Sequence, residues 1–514
     1  MVRQQMLCIV TPGWAGDPDG VSDLEADLDR LFTQLGCVHF ACLALLPPRP
    51  GEPSPAQPAL MLELAVDEGI ATPTLLQLLT ARGSAVLWRL YFGAPPPAMA
   101  AAERAQQLLH WLSGHVHGAT GGFVGARDRS VQQILDERTL YLRARRQAAE
   151  VRAAAVPPGA GEARIDNDEL ARRLQAWARA QADLEWAQRP APRCFWRAGG
   201  LRRLAVAVAL ALVVAALTRV VLPLALSLVH GWLTDDVPRR CVTFSHWAAT
   251  VAVTTVLLAV ALALLALLAV LLAPLWLALA TAIRAAGRRL GRLVARGRQF
   301  RHARADREVP RAHQIHASVL ACESALVDRP NHMISLTEVR APRHWHAGWL
   351  RLWLRVITWA GRWVFVHGVL GDASGIKYGH WHLIDGGRRL LFCSNYDGPF
   401  GGYLDEFIAG ATWGVNLFWR HTRLRKRSAA RAGQPAVTLD RDFPPTRFFA
   451  VRGGCEHEQW FKTYARDSML PHLYLFQAYR LSQLEIERAT ALRDALFGPR
   501  NAVNDDTVAR VLES

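Results

Sequence analysis

The chain has 514 residues, a formal net charge of +16 and eight cysteines. The cysteines show no CxxC pair and no regular spacing, which excludes a disulfide framework, and we interpret them as reduced thiols. The sequence has no P-loop, no GxGxxG after a predicted strand, no HExxH and no GxSxG, which excludes the nucleotide-binding and hydrolase motifs defined by these patterns.

The first 150 residues predict an α+β module. Residues 4–12 predict a strand, and 21–36 predict an amphipathic helix that ends at Gly36. Next come predicted strands over 37–46 and 59–66, a helix over 72–92, a strand over 120–126 and a helix over 129–150. This β-α-β-β-α-β order is that of a ferredoxin-like split unit.

Two long apolar segments follow a linker and an amphipathic helix, which occupy 151–200. The segments run over 204–233 and 247–283, and about 20 mainly apolar residues are enough for a helix to cross a bilayer. The sequence therefore predicts a transmembrane two-helix hairpin within 201–284. Arginines flank both of its outer ends and favour the cytoplasmic side. We expect a multi-pass protein of the bacterial inner membrane with both termini in the cytoplasm.

A basic juxtamembrane segment is predicted over 285–330. The stretch 284–311 holds ten arginines against Asp306 and Glu308, a net charge of +8. Beside a membrane span, such a block favours anionic lipid, at about 1 kcal/mol per basic residue, over nucleic acid. Candidate membrane-surface residues are Arg288, Arg289, Arg292 and Arg296, with Trp349 and Trp353 of a tryptophan-rich helix predicted over 345–368. The alternative for that helix is packing in a soluble core.

The region 331–498 repeats the order of the first module and is followed by a tail over 499–514. Strands are predicted over 332–340, 376–385, 389–396, 447–452 and 472–479, with helices over 345–368, 403–421, 455–468 and 482–497. Val38-His39-Phe40-Ala41 corresponds to Ile376-Lys377-Tyr378-Gly379, and Leu60-Met61-Leu62 to Leu390-Leu391-Phe392. Ser130, Ile134 and Leu140 correspond to Ser482, Ile486 and Leu492 at one constant offset. These matches indicate a duplication, and such a pair can close into a two-module barrel with the sheets facing each other.

The C-terminal motifs NHMISLTEV, VFVHGVLG and IKYGHWHLIDGGRRLLFCSNYDGPF resemble an uncharacterised bacterial ferredoxin-like module. The usual text of that module is close to IHFARW, followed by F-x-SN-[YF]-DG. The module occurs alone, in tandem and beside dye-decolorising-type peroxidase domains. The resemblance covers roughly 330–497 well and 1–143 more faintly, and it does not extend to the apolar hairpin. It implies a fold and a peroxidase as an expected partner, but no agreed activity.

Two groups of residues on the second module, with His39 of the first, are candidate sites. The ligand-binding candidates are Ser394, Asn395, Tyr396, Asp397 and Gly398, together with His380, His382 and His39. Asp397 is interpreted either as the cap of the helix that begins near Tyr403 or as a pocket acid and candidate catalytic residue. His380 and His382 share one strand face, and Cys393 lies on the adjoining strand. They are interpreted either as zinc or haem ligands or as ordinary histidines of a sheet face. No fourth ligand is evident, so no metal site is assigned.

The sequence therefore predicts a membrane-anchored cytoplasmic binding or scaffold protein with tandem ferredoxin-like modules, without evident catalytic machinery. Its expected partners are a bilayer containing anionic lipid and a lipid-like or apolar ligand, and nucleic acid is not expected. The alternative is a component of peroxide- or haem-linked oxidation, with haem as the cofactor. That alternative depends on the peroxidase domains found beside the resembling module.

Overall fold

The computed structural model describes residues 4–48, 57–67, 70–94, 99–155, 166–188, 331–363, 375–427, 438–448, 450–498 and 502–513. The chain divides into two compact units, of which the first combines Met1–Cys194 with Ala305–Ser514. The second unit, Phe195–Arg304, lies outside the described residues. The fold described below is that of the first unit.

The first unit is a mixed α and β structure. Its strands are β1 (Gln4–Thr11), β2 (Val38–Leu46), β3 (Ala59–Asp67), β4 (Val116–Gly118), β5 (Gly121–Val124), β6 (Asn331–Val339), β7 (Ile376–Ile384), β8 (Arg389–Tyr396), β9 (Thr422–Arg427), β10 (Thr438–Asp442), β11 (Thr446–Arg447), β12 (Arg452–Gly453) and β13 (His472–Gln477). Its α-helices are α1 (Glu25–Leu35), α2 (Thr72–Phe92), α3 (Ala101–Ser113), α4 (Val131–Ala154), α5 (Asn167–Ala180), α6 (Glu185–Gln188), α7 (Arg343–Trp363), α8 (Phe400–Gly410), α9 (Thr412–Trp419), α10 (Glu458–Ser468), α11 (Gln483–Phe497) and α12 (Ala502–Glu513).

The two large sheets have corresponding topologies. Sheet 1 has five strands in the order β13-β2-β3-β1-β4, and sheet 2 has six in the order β10-β9-β6-β8-β7-β5. Within each sheet, four strands of one half of the chain follow the order second-third-first-fourth, which is the antiparallel arrangement of a βαββαβ unit.

The halves exchange one strand each. β5 belongs to the N-terminal half but pairs with β7 of sheet 2, with Phe123 opposite Gly379. β13 belongs to the C-terminal half but pairs with β2 of sheet 1, with Phe476 opposite Ala41. Each exchanged strand covers an edge of the other half's sheet that would otherwise expose unpaired backbone groups.

The hydrophobic core is layered. Helices α1 to α3 pack against one face of sheet 1, and α7 to α10 pack against one face of sheet 2. The remaining faces of the two sheets meet in an apolar cluster that includes Val10 and Ala44 from sheet 1 and Ile334 and Leu391 from sheet 2. Because both faces are covered, almost every residue of β2 and β8 is buried, and the strands read as continuous apolar runs rather than alternating ones.

The prediction of a transmembrane hairpin is corrected by the structure. In the part of the chain that the structure describes, no helix is both long and apolar enough to span a bilayer. The predicted spans, 204–233 and 247–283, lie outside the described residues, as do Arg288, Arg289, Arg292 and Arg296. The structure therefore contradicts the predicted membrane hairpin, and with it the inner-membrane location and the membrane anchor. It supports a mixed helix and sheet architecture.

The tryptophan-rich helix α7 packs on its own sheet. Ala347, Leu350 and Leu354 are buried in the core of sheet 2. Trp349, which is 36% exposed, stacks on Trp353 with ring centroids 6.0 Å apart.

Three predicted elements of the C-terminal and N-terminal halves differ from the structure. The helix expected over 403–421 is divided into α8 and α9 at Ala411, whose backbone is non-helical at φ −126°. The segment 120–126, expected as the fourth strand of the first half, contains the exchanged strand β5. The segment 447–452, expected in the second half, belongs to the small hairpin of β11 and β12. The true fourth strands are β4 and β9, because pairing depends on partners that a local pattern does not reveal.

Candidate metal centre between the two sheets

A continuous chain of buried polar side chains crosses the space between the sheets. Glu63 of β3 is at its middle, with Oε1 2.6 Å from Nε2 of His380 and Oε2 2.9 Å from Nε2 of His332. Nδ1 of His380 lies 2.7 Å from Nε2 of His382, and Nδ1 of His332 lies 2.8 Å from Nε2 of His472. One carboxylate therefore joins two pairs of histidines.

One assignment of tautomers agrees with the three hydrogen bonds of this chain. His380 directs Nε2–H at Glu63, and the Nδ1 atoms of His332 and His380 accept from Nε2–H of His472 and His382. Nδ1 of each terminal histidine then carries a lone pair. His382 is buried and also contacts the thiol of Cys8. The chain thus brings imidazole nitrogens and a thiol together beside the sheet interface.

Thiols complete two groups of possible metal ligands. Donor atoms of Cys8, His380 and Cys393 all lie within 4.8 Å of one another, and we call this group half-site A. Donor atoms of Cys42, His332 and His472 satisfy the same limit and form half-site B. Glu63 touches a histidine of each half-site. None of the five described cysteines, all of which are buried, forms a disulfide.

The strand registers explain why these residues meet. Cys8 is directly opposite Glu63 in the pairing of β1 with β3, and His380 is directly opposite Cys393 in the pairing of β7 with β8. Side chains opposite each other in an antiparallel pair point to the same face. Because the two sheets face each other, these two pairs meet. His472 joins them because the strand exchange places β13 beside β2 in sheet 1.

Electrostatics favour the metal-binding forms of Glu63, Cys8 and His472, whereas burial and the neighbouring Cys8 raise the pKa of the Cys393 thiol well above its usual range. Burial by itself raises the pKa of Glu63, but the interactions with His332 and His380 outweigh it and hold that pKa well below its usual range. For Cys8, burial again raises the pKa, but contacts with Cys393 and His382 bring it down to about 7. Burial lowers the pKa of His472 to about 3, which keeps that imidazole neutral. A carboxylate, a readily formed thiolate and a neutral imidazole are all metal-ligating species.

The donor set and its spacing fit zinc or a similar transition metal. Zinc takes thiolate, imidazole and carboxylate ligands at about 2.0–2.3 Å, so tetrahedral donors are about 3.3–3.8 Å apart. The 4.8 Å limit satisfied by both half-sites therefore requires only small inward movements. A ligating histidine usually directs its second nitrogen at a carboxylate, and Glu63 is placed to accept from His332 and His380.

The structure brings together the sequence-predicted His380, His382 and Cys393, but the remaining donors were missed. Cys8, Cys42 and Glu63 come from the N-terminal half, and His332 and His472 come from other strands of the C-terminal half. One signal was present in the sequence. The repeat alignment places Cys42 at the position of His380 and Glu63 at that of Cys393, so chemistry-bearing residues recur at equivalent positions.

The SNYDG segment does not reach this centre and acts as a capping device. Oδ1 of Asp397 contacts Nζ of the fully buried Lys377, and Oδ2 accepts from the backbone N–H of Gln483 at 2.6 Å. Asp397 thus caps α11 and not the helix that begins near Tyr403. Burial lowers the pKa of the Lys377 ammonium to about 7, while the carboxylate of Glu485 acts in the opposite direction.

The other residues of the segment have structural contacts. Ser394 Oγ accepts from the Tyr403 hydroxyl at 2.7 Å, and Tyr396 stacks on Tyr403 at 3.9 Å. Asn395 is buried with no hydrogen-bond partner for its side chain among the described residues. Gly398 has φ +76°, a conformation that favours glycine.

The first half contains an equivalent device around His39. Asp67 Oδ1 lies 2.8 Å from His39 Nε2 and accepts from the backbone N–H of Val131 at 3.2 Å, at the start of α4. Nδ1 of His39 lies 2.9 Å from the Tyr479 hydroxyl. His39 and Lys377 therefore occupy corresponding positions and support corresponding helix caps.

Replacing Asp397 with alanine is expected to destabilise the protein by about 3 kcal/mol, because it leaves a buried ammonium without its counter-charge. Urea denaturation monitored by circular dichroism measures the change. The double variant Lys377→Met/Asp397→Ala is the control, and it should recover much of the loss because no uncompensated charge remains. Equal destabilisation of the single and double variants would contradict this role.

Comparisons with known proteins add no identification. No protein-family model matches the chain, and no curated protein and no solved structure matches it significantly. The resemblance to the ferredoxin-like module therefore stays a prediction, and function has to be argued from the side chains themselves.

Proposed function

We propose that the chain is a metal-binding protein whose centre of cysteine, histidine and glutamate side chains lies between the two sheets. The observation that carries this proposal is the pair of buried half-sites on either side of Glu63. Enclosing a carboxylate and several imidazoles costs free energy that apolar residues of similar size would avoid. Coordination of a metal ion offsets that cost.

The centre accommodates up to two ions. Half-site A offers Cys8, Cys393 and His380, and half-site B offers Cys42, His332 and His472. Glu63 contacts one histidine of each half-site and would orient it for ligation. The described side chains are almost completely enclosed, which favours a closed structural or metal-sensing site over a hydrolytic site that needs an open position.

Metal binding here joins the two halves of the chain. Cys8, Cys42 and Glu63 come from sheet 1, whereas His380 and Cys393 come from sheet 2. A bound ion is therefore a cross-link through the middle of the molecule. Because the site is assembled only in the folded chain, binding should stabilise the folded state.

The test is the metal content of the full-length protein, purified under reducing conditions and measured by inductively coupled plasma mass spectrometry. We expect one or two equivalents of zinc or a related transition metal. The double variant Cys8→Ser/Cys393→Ser should lose the ion of half-site A. In the wild type, Co²⁺ added after chelation should give thiolate-to-cobalt absorption that Cys8→Ser/Cys393→Ser reduces.

Cys37→Ser is the matched control, because Cys37 is a buried cysteine in the helical core of sheet 1, outside both half-sites. It should retain the wild-type metal content. Metal-free protein that also fails to bind Co²⁺, with a folded circular dichroism spectrum, would overturn the proposal. A Soret band that disappears in His380→Ala would assign the centre to haem instead.

The binding or scaffold role and the peroxidase partner expected from the sequence stay predictions. A metal centre that joins two modules is compatible with a scaffold, since it fixes their relative position. Nothing in the geometry of the centre supports an apolar ligand, because the described space between the sheets is filled by the side chains already named.

A further inference from the structure

A second polar site lies at the far end of β6 from the metal centre. It is a cleft of about 330 Å³, lined by Arg340, His346, Arg420, Phe443, Pro444, Pro445 and Thr446. His332 lies near the start of β6, and Arg340 directly follows the end of that strand. Eight residues of extended chain, about 26 Å, therefore separate the two sites. The cleft is therefore independent of the metal ligands.

Positive charge in the cleft is poorly neutralised. The guanidinium of Arg420 has no ion-pair partner among the described residues. Arg340 meets only Asp442, at 3.6 Å between a guanidinium nitrogen and Oδ2, and both side chains are about half exposed. Such a pair contributes little. Two cations thus face the cleft against one loosely held carboxylate.

The half-buried His346 of the cleft wall contacts the buried His421 behind it. Nδ1 of His346 lies 2.9 Å from Nδ1 of His421, so one of the two nitrogens donates. Burial together with the neighbouring arginines lowers the pKa of both imidazoles, that of His421 to about 4. At neutral pH the pair is uncharged and supplies hydrogen-bonding capacity without adding to the positive charge.

We propose that this cleft binds the oxyanion group, phosphate or carboxylate, of a small molecule. Arg340 and Arg420 provide the planar, multiply donating cations that recognise such groups best. Phe443, Pro444 and Pro445 offer an apolar wall for the remainder of the ligand. The volume suits a small metabolite and not a macromolecular chain.

Binding of inorganic phosphate to the full-length protein, measured by calorimetry against chloride at equal ionic strength, tests the proposal. We expect saturable binding that Arg420→Gln weakens about 10-fold or more, as loss of a charged hydrogen bond does. In NMR spectra, phosphate should shift the imidazole signals of His346 and His421 while leaving those of His332 and His380 unchanged.

Arg145→Gln is the matched control, since Arg145 is an exposed arginine of α4 distant in sequence from the cleft. It should bind phosphate like the wild type. Equal weakening in Arg145→Gln and Arg420→Gln would show only non-specific attraction and would overturn the inference, as would absence of saturable binding. Arg420→Lys keeps the positive charge and is the control for loss of binding through misfolding. It should bind phosphate more weakly than the wild type but more tightly than Arg420→Gln.

Discussion

Replacing Glu63 with alanine is expected to lower the free energy of unfolding of the metal-free protein by about 3–5 kcal/mol. The carboxylate is the one acceptor placed between His332 and His380, and its removal leaves two buried imidazoles without their partner. The same substitution should abolish or weaken binding at both half-sites. Urea denaturation with and without added zinc measures the two effects separately.

Glu63→Gln is the control that separates charge from shape. It retains the volume and one acceptor oxygen, so it should be less destabilising than Glu63→Ala. In the metal-free protein, the lowered pKa of Glu63 means that the carboxylate contributes stability above its unfolded value of 4.5. That contribution is lost as the pH falls below this value, so the difference between wild type and Glu63→Gln should shrink in acid. A difference that grows in acid would refute the assignment.

Replacing Phe123 with alanine is expected to cost about 3–5 kcal/mol, because a large buried ring is removed from a packed core. The site of the damage is the distinctive part of this prediction. Phe123 lies on β5 of the N-terminal half, but its side chain is 1% exposed within the core of sheet 2. Hydrogen exchange should therefore show loss of protection in β7 and β8, which lie more than 200 residues further along the chain.

The control for this prediction is Phe92→Ala, a phenylalanine of the same half that is 45% exposed on α2. It should change stability by less than about 1 kcal/mol. If Phe123→Ala destabilised only sheet 1, the exchange of strands between the halves would not couple them as the structure implies.

Strand exchange also couples the two halves of the chain. The two βαββαβ units share sheet edges through β5 and β13, and their sheets share one apolar interface. A unit separated from its partner would expose both an unpaired edge and a hydrophobic sheet face, which favours aggregation. The two halves are thus parts of one folding unit.

Several local elements were determined by the sequence itself. The strands predicted over 389–396 and 59–66 match β8 and β3 to within one residue, because each is a short, mostly apolar segment between turn-forming residues. The end of α1 was also predictable, since Gly36 adopts φ +67° and its N–H bonds back to the last turn. The two helix caps beside Asp67 and Asp397 occur at positions that the repeat alignment relates.

The metal centre and the sharing of strands were decided only by the tertiary structure. Glu63 and His380 are 317 positions apart, and no local period indicates that their strands belong to facing sheets. Periodicity tells which face of a strand is buried, but a strand that is covered on both sides gives a uniform apolar pattern and conceals its partner. The amino-acid sequence therefore determined most of the strands. Packing of one sheet against the other decided which helix Asp397 caps and which cysteines, histidines and glutamate meet.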